Sequence, residues 1–451
     1  MLAQAAGVIA GLADFLRAEW PTSAAVWLPG GSPPAAGRAF RNPDLAATWK
    51  RLLSETGGFT ERTARIEAAR DCFYRGFVAE AVGRYLSDAC VMDATGERRK
   101  GVLAAQDMAL WRARYETPSA AAHGDWRVFK GGPWTQGPAL LQTLLLLEGT
   151  GVADVDPRGA DFAHLTAEAL KLAMADREAY YGDPEHSSVP ISTLLSRDYA
   201  DQRRRLIGDA ASHEFRSGRI AGFEGLAEAA LARSLRQAVP VEGPGAGEPT
   251  MAHLTARRGD TVHLDVVDRW GNMVSATPSG GWLQSSPVIP GLGMPLNSRA
   301  QMFWLDEGLP TSLGPGRRPR TTLTPSMALG PDGRRLAFGT PGGDQQEQWQ
   351  ASFFLRVARH GMNLQEAIDA PLFHTAHLQS SFYPRLFQPG HLLAEPAFGE
   401  ASLAALTRRG HALTVSAPWA AGRLTAVSRD ADGMLRAAAT PRLMQAYAVG
   451  R

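Results

Sequence analysis

Gly259-Asp260-Thr261-Val262-His263-Leu264-Asp265-Val266-Val267-Asp268, followed by Arg269-Trp270-Gly271-Asn272, is the stretch on which the reading of this chain turns. Val262, Leu264, Val266 and Val267 make it a strand, and Gly271-Asn272 reads as the tight turn that ends it. A second strand, Met273-Val274-Ser275-Ala276-Thr277, returns beside the first. Just upstream, Val239 to Thr250 is rich in Pro and Gly and resists packing as helix or strand. A loop therefore feeds a strand whose first residue carries a hydroxyl. If the chain is cut between Asp260 and Thr261, Thr261 gains a free α-amine beside that hydroxyl. An α-amine titrates near ~8, so it can act as a general base at neutral pH, and threonine with its own amine is a recognised activated nucleophile. The plainer alternative is that a β-branched residue opens a strand because it suits one.

Length and composition set the frame around this stretch. At 451 residues, 44% of them hydrophobic and 20% charged, the chain can bury a large core. Its 47 basic and 45 acidic residues leave +2, which gives no electrostatic footprint for nucleic acid. Two cysteines, Cys72 and Cys90, make neither a disulfide framework nor a cysteine zinc site, and a reduced, cytoplasmic setting is expected. Met1 to Leu12 has no basic residue before it and charges soon after, so it reads as an amphipathic helix rather than a signal peptide. The most apolar run, Ala139 to Leu147, is too short to span a membrane.

The first 250 residues or so read as mostly helical. Asn42-Pro43-Asp44 is a helix start, with Leu45, Trp49, Leu52 and Leu53 as its apolar face. Further helices are expected over Arg62–Cys72, Gly76–Leu86, Ala105–Tyr115, Pro138–Leu147, Asp161–Tyr181, Asp198–Ile207 and Phe223–Ala238, with a short strand at Trp126–Phe129. From Thr261 strands take over. A short one is expected at Met302–Leu305, a hairpin joins Ser326–Leu329 to Leu336–Phe338, and Leu424–Ser428 and Met434–Ala438 close the chain. Between them lie a helix from Gln345 to His360 and a capping-box start at Asn363 to Glu366. Helices first and strands later, packed as one unit, predict an α+β layered fold.

Several clusters carry chemistry. Thr340-Pro341-Gly342-Gly343-Asp344 puts two glycines at a helix start, where unshielded backbone N–H groups can form an oxyanion hole. Arg320-Thr321-Thr322-Leu323-Thr324 offers successive hydroxyls to a bound carboxylate, or to a solvated turn. His263 and Asp265 share the strand face of Thr261. Residues two apart on a strand are roughly 6.6–6.8 Å apart with parallel side chains, so the two are expected not to meet and His263 is read as structural. His374 and His377 lack a third ligand, and His213-Glu214 lacks a second histidine, so no metal is expected. No G-x-S-x-G elbow surrounds Ser279, and Gly243 to Gly247 is not a P-loop.

Taken together the motifs resemble the γ-glutamyltransferase family. The segment from Gly259 to Asn272, Leu296-Asn297, Arg320 to Pro325 and Thr340 to Gly343 look like its small-subunit motifs. Arg41 to Ala46, Gly137–Gly149, Ala167 to Lys171, Ala175-Asp176-Arg177, Tyr181 to Pro184 and Leu194 to Ala200 look like those of its large subunit. The resemblance spans nearly the whole chain. It implies an N-terminal-nucleophile hydrolase fold, a four-layer αββα sandwich, and self-cleavage before Thr261. The products would be a helical part (1–260) and a β-rich part (261–451) that stay together as one integrated domain. Thr261 would be nucleophile and base, Gly342 and Gly343 the oxyanion hole, and Ser279 the hydroxyl that supports the nucleophile. Thr321 and Thr322 stand where two serines contact the substrate carboxylate, and Gln301 stands near the amino group. No cofactor is implied; the partners are a small-molecule amide, a water or amine acceptor, and the chain's own two fragments.

Three departures qualify that picture. Trp304 stands where the family has an aspartate for the substrate α-amino group, and an indole cannot make that ion pair. Gly281 replaces an asparagine. The family's large subunit also carries a further N-terminal stretch, so the chain reads as truncated. The expectation is a divergent, cephalosporin-acylase-like branch, with Arg299 placed to bind a carboxylated acyl group. The alternative is an unprocessed, inactive homologue.

Overall fold

The computed structural model describes residues 1–93, 95–236, 261–280, 283, 285–382, 385–442 and 446–450. They group into two compact units, one of residues 1–115 and 280–298, the other of 116–236, 261–279 and 299–450.

The first unit contains α1 (Ala3–Glu19), α2 (Pro21–Trp27), α3 (Pro43–Glu55), α4 (Arg62–Tyr74), α5 (Phe77–Asp88) and α6 (Ala105–Leu110), with a ribbon of β1 (Val91–Met92) and β2 (Arg98–Arg99). Ile9, Leu12, Ala13 and Leu16 recur at helical spacing on α1 and are buried with Trp20, Leu28 and Leu283. Asn42 caps α3, accepting the Leu45 N–H at 3.0 Å and donating to the Gly293 carbonyl at 2.7 Å. The buried side of α3 differs from expectation. Thr48 is buried, donating to the Leu292 carbonyl at 3.1 Å, whereas Trp49 and Leu53 are exposed. The stripe turned to the 289–296 loop is thus one residue round the helix from the most apolar one. The helix expected to reach Tyr115 stops at Leu110.

In the second unit the described elements run β3 (Ser119–His123), β4 (Trp126–Lys130), α7 (Pro138–Leu147), α8 (Ala160–Tyr180), α9 (Ile191–Leu194), α10 (Arg197–Arg204), α11 (Glu224–Arg236), β5 (Leu264–Val267) and β6 (Met273–Ala276). Then follow β7 (Ser326–Leu329), β8 (Arg335–Gly339), α12 (Gln346–Ala358), α13 (Leu364–Asp369), β9 (Phe373–His374), β10 (His391–Ala394), α14 (Glu400–Arg408), β11 (Ala412–Val415), β12 (Thr425–Arg429) and β13 (Leu435–Ala439). A six-stranded antiparallel sheet has the order β13-β12-β8-β7-β4-β3. β10 pairs parallel with β11 and antiparallel with β9, and β5 pairs with β6.

The core lies between the large sheet and α7, α8 and α12. Every residue of α7 is buried, and Phe338 of β8 meets Phe353 and Phe354 of α12 at ring distances of 5.3 and 5.8 Å. Burying one such leucine or phenylalanine contributes about 1.5–3 kcal/mol. The opposite face of β8 and β12 receives the β5–β6 hairpin: Thr425 donates to Asp265 at 2.8 Å, and Ser275 to the Phe338 carbonyl at 3.4 Å. The layers thus run helix, sheet, sheet, and Leu264, Val266 and Val274 on the hairpin's far side are exposed. The strand expected at Met302–Leu305 is absent. Arg299–Met302 is a 3-10 turn, and Trp304 makes a single bridge to Ser312. No helix among the described residues is long and apolar enough to cross a membrane.

Candidate active site

Thr261 sits just ahead of β5 and is buried, with 6% of its surface exposed. The Val262 N–H donates to the Pro278 carbonyl at 3.1 Å, which continues the hairpin beyond its regular strands. That register brings the Thr261 and Ser279 hydroxyls to 2.9 Å, the pairing that the resemblance implied. Asp260, the other side of the expected cleavage point, and Gly281 lie outside the described residues, as does the upstream loop.

His263 corrects one geometric expectation. Its Nε2 lies 3.0 Å from both carboxylate oxygens of Asp265, and its Nδ1 lies 2.7 Å from the Thr277 hydroxyl. The two side chains meet because both turn to the inner face of the hairpin, whose register runs on through Val262, and the imidazole is long enough to reach along the strand to Asp265. Its partners are Asp265 and Thr277 rather than Thr261. The ring lies against Gly339, where an added Cβ would come within 2.2 Å of it. Gly339 ends β8, so this contact seats the strand start of Thr261 beside the loop that leaves β8.

That loop holds the two glycines. Gly342 has φ 140° and Gly343 φ 57°, both in the region that favours glycine. A Cβ on Gly342 would lie 2.3 Å from the Trp349 ring. Neither glycine N–H donates to a described residue, so both remain available as donors. Behind the loop lies a buried polar network. Gln136 donates to the Gly343 carbonyl at 2.9 Å and accepts from Arg177 at 2.6 Å. Arg177 also binds Asp344 at 2.6 Å and Glu178 at 2.7 Å. Asp344 accepts the Ser381 N–H at 2.8 Å and its hydroxyl at 2.6 Å. Burial pushes the Asp344 and Glu178 carboxyls up, but the guanidinium groups of Arg177 and Arg320 and, at Asp344, the Ser381 hydrogen bonds bring both below the usual carboxylate range. Both are ionised at neutral pH.

The other expected residues line the same network. Arg320 binds Glu178 at 2.8 Å and the Arg177 carbonyl at 3.0 Å, which fixes the start of Thr321-Thr322. Thr321 takes its backbone hydrogen bond from N–H to the Trp134 carbonyl at 2.8 Å, and its hydroxyl accepts the Leu323 N–H at 3.2 Å. The Thr322 hydroxyl is buried with no partner among the described residues, as is the Gln301 side-chain nitrogen. Arg299 is buried with its guanidinium 5.8 Å from the Phe382 ring centre. Trp304 is buried between two guanidinium groups, Arg233 at 5.0 Å and Arg385 at 4.8 Å. Arg385 in turn donates to the carbonyls of Gln301 at 2.8 Å and Phe303 at 2.7 Å and to that of Ser381.

Sequence reasoning left Arg177, Glu178, Gln136, Ser381 and Arg385 without a role. The available signal was the density of charge on a helix that also carries the resemblance, Ala175-Asp176-Arg177. Among the described residues, His164, Glu168 and His411 could approach a common metal ion, with donor atoms within 4.8 Å of one another. Glu168 is already bound by Lys171 at 2.6 Å and Arg216 at 3.0 Å, and two cations beside that carboxylate oppose a third. His374 and His377 are each buried, and His377 donates or accepts within the protein at Glu214 and Gly390.

The sequence profile described as Gamma-glutamyltranspeptidase matches residues 2–450. Among curated proteins, the Acylase ACY 1 proenzyme of Pseudomonas sp. (strain SE83) is 30% identical over 421 residues, covering 93% of this chain and 63% of that one. The Oxamate amidohydrolase proenzyme of Klebsiella pneumoniae subsp. pneumoniae is 30% identical over 427 residues, covering 94% and 68%. The chain therefore spans 63% and 68% of the length of these relatives. Among solved structures, LmbA2991HD is 49% identical with a TM-score of 0.87, covering 98% of this chain and 75% of that one. The cephalosporin acylase from Bacillus halodurans is 25% identical with a TM-score of 0.72, covering 98% and 70%.

Proposed function

Because the chain belongs to the gamma-glutamyltranspeptidase family and has its α+β, N-terminal-nucleophile hydrolase fold, we propose that it is a self-processing amidohydrolase or acyltransferase working through an acyl-Thr261 intermediate. The observation that carries this reading is the 2.9 Å pair of Thr261 and Ser279 hydroxyls at a strand start, with the Gly342-Gly343 loop leaving the neighbouring strand. After cleavage between Asp260 and Thr261, the freed α-amine takes the Thr261 hydroxyl proton as Oγ1 attacks the amide carbonyl. The glycine N–H groups stabilise the oxyanion. The same amine returns the proton to the leaving amine as the C–N bond breaks, and an ester remains on Thr261. Water or a second amine then attacks that ester, releasing an acid or a new amide and restoring the hydroxyl.

The test is an intact-mass spectrum of the purified protein alongside amidase assays. Fragments of 260 and 191 residues (451 − 260) are expected, with neither cleavage nor turnover in Thr261→Ala. Turnover by a chain that remains 451 residues long would overturn the scheme, and an uncleaved, inactive chain would favour the unprocessed alternative.

One observation favours an acyl preference other than γ-glutamyl. The place of the ammonium-binding aspartate is taken by Trp304, whose ring carries the Arg385 guanidinium at 4.8 Å. A substrate ammonium there would meet a cation, whereas a carboxylated acyl group without an α-amine would be attracted, with Arg299 as the proposed contact. Glutaryl anilide is expected to turn over faster than γ-glutamyl anilide; equal rates would remove this preference.

A further inference from the structure

We propose that Arg177 is a positioning residue of this site, a single buried guanidinium that sets the Gly342-Gly343 loop and the Thr321-Thr322 hydroxyls relative to one another. The proposal rests on the reading of the two glycine N–H groups as oxyanion donors, and it goes beyond that reading by naming what holds them.

Arg177 lies near the end of α8 with its side chain 1% exposed. Its NH1 donates to Gln136 and to Asp344, both at 2.6 Å, and its NH2 donates to Glu178 at 2.7 Å. Two of these partners control the glycine loop. Gln136 carries the link on to the Gly343 carbonyl at 2.9 Å, and Asp344 is the next residue along, pinned from its other side by Ser381. The third partner controls the hydroxyl pair. Glu178 shares its Oε1 between Arg177 and Arg320, and Arg320 also donates to the Arg177 main-chain carbonyl at 3.0 Å. Arg320 directly precedes Thr321.

The sequence separations are large: Gln136, Arg177, Arg320 and Asp344 belong to four segments with no local reason to meet. One planar fork reaches three acceptors at once. A lysine nitrogen has three protons but a single position, and it cannot lie within hydrogen-bond reach of acceptors spread along a guanidinium edge. A displacement of about 1 Å in a supporting group can cost on the order of 10²-fold in rate. The two claims separate because each tether acts on a different parameter. Oxyanion donors act in the transition state and move kcat. Carboxylate-binding hydroxyls hold the ground state as well and move KM.

The experiment compares wild type, Gln136→Leu and Arg177→Lys in the intact chain. Gln136→Leu removes the Gly343 tether and one Arg177 acceptor but leaves the Glu178–Arg320 link to Thr321 in place, so kcat is expected to fall ten- to a hundredfold with KM within threefold of wild type. Arg177→Lys loosens both segments, so kcat should fall by at least as much and KM should rise more than threefold. Folded variants with kcat and KM within twofold of wild type would overturn the proposal. Should Arg177→Lys fail to fold, Gln136→Leu still decides it. Hydrogen exchange at the Gln345 amide, which donates to the Gly342 carbonyl at 3.1 Å, is read in the same proteins. If wild type is neither cleaved nor active, the acyl-Thr261 reading fails by itself, and exchange then decides the positioning claim. At least tenfold faster exchange in Gln136→Leu supports it, and unchanged exchange sinks it.

Discussion

At the scale of single residues, the proposed nucleophile, Thr261, was legible in the sequence and its surroundings only partly so. Thr261 stood out because a hydroxyl opens an alternating strand after a breaker-rich segment, a purely local pattern. Ser279 needed the family resemblance, because the register that brings two hydroxyls to 2.9 Å is a property of the hairpin, not of either residue. His263 shows the limit of ideal geometry. Strand spacing kept it from Asp265 on paper, but the imidazole is long enough to reach along the strand and the two are hydrogen-bonded. Arg177 was out of reach for a different reason. A polar residue on a helix normally reads as solvated, and its burial depends on segments as distant in sequence as Asp344. The His263 contacts give a sharp expectation. In His263→Ala, Asp265 keeps hydrogen bonds from Ser275 and Thr425, but Thr277 loses a buried partner. The cost should be about 1–3 kcal/mol, read as a lower melting temperature, while cleavage and turnover persist. A folded variant that no longer cleaves would show instead that this imidazole takes part in processing.

At the scale of elements, those with a strong period and a clear turn were placed well. The β7–β8 and β12–β13 hairpins, α7, α12 and the Asn363 capping box lie within a few residues of where the pattern put them. The misses share a cause. β3 is Ser-Ala-Ala-Ala-His and carries no alternation, and β10 is buried along its whole length, so neither shows the period of a half-buried strand. The short strand expected near Trp304 failed because Met302 ends a 3-10 turn, Trp304 packs against two arginines and Leu305 is left exposed. The glycine loop was expected at a helix start and leads through a 3-10 turn into α12, and its backbone makes a firm demand. Gly342→Ala would place a Cβ 2.3 Å from the Trp349 ring, at a φ of 140° that an L side chain rarely adopts. Since Trp349 is itself buried in the core, it has little room to yield. The expected outcome is at least a hundredfold loss of kcat together with a lower melting temperature. A variant that retains both would mean that this loop is not held where it is seen.

At the scale of the whole molecule, the described histidines dictate how stability responds to acid. Burial holds His374 and His377 down to about 3 and His123 to about 4, with neighbouring His391 adding at His374, Lys171 at His377, and Glu148 opposing at His123. Unfolded, each would titrate near 6.5. Below that value the unfolded chain binds protons that the folded chain refuses, so stability falls as pH drops. Glu347 acts in the other direction. Burial raises it to about 7 despite Lys130 at 3.1 Å, so between its unfolded value and 7 the folded state is the one that gains a proton on acidification. Three histidines outweigh one carboxyl. At pH 5 each histidine costs about 2 kcal/mol and the carboxyl returns roughly 2.5, leaving a net loss on the order of 3.5 kcal/mol relative to pH 8. His411, which burial also holds to about 3, adds in the same direction. Denaturant midpoints measured in half-unit steps from pH 8 to pH 5 should therefore decline, with the drop starting near 6.5, before the exposed carboxylates begin to titrate. A flat or rising profile over that range would show that the buried imidazoles are charged in the folded protein. In that case the dry packing around α12 and β9, where His374 meets Trp349 edge to face at 5.5 Å, must admit water.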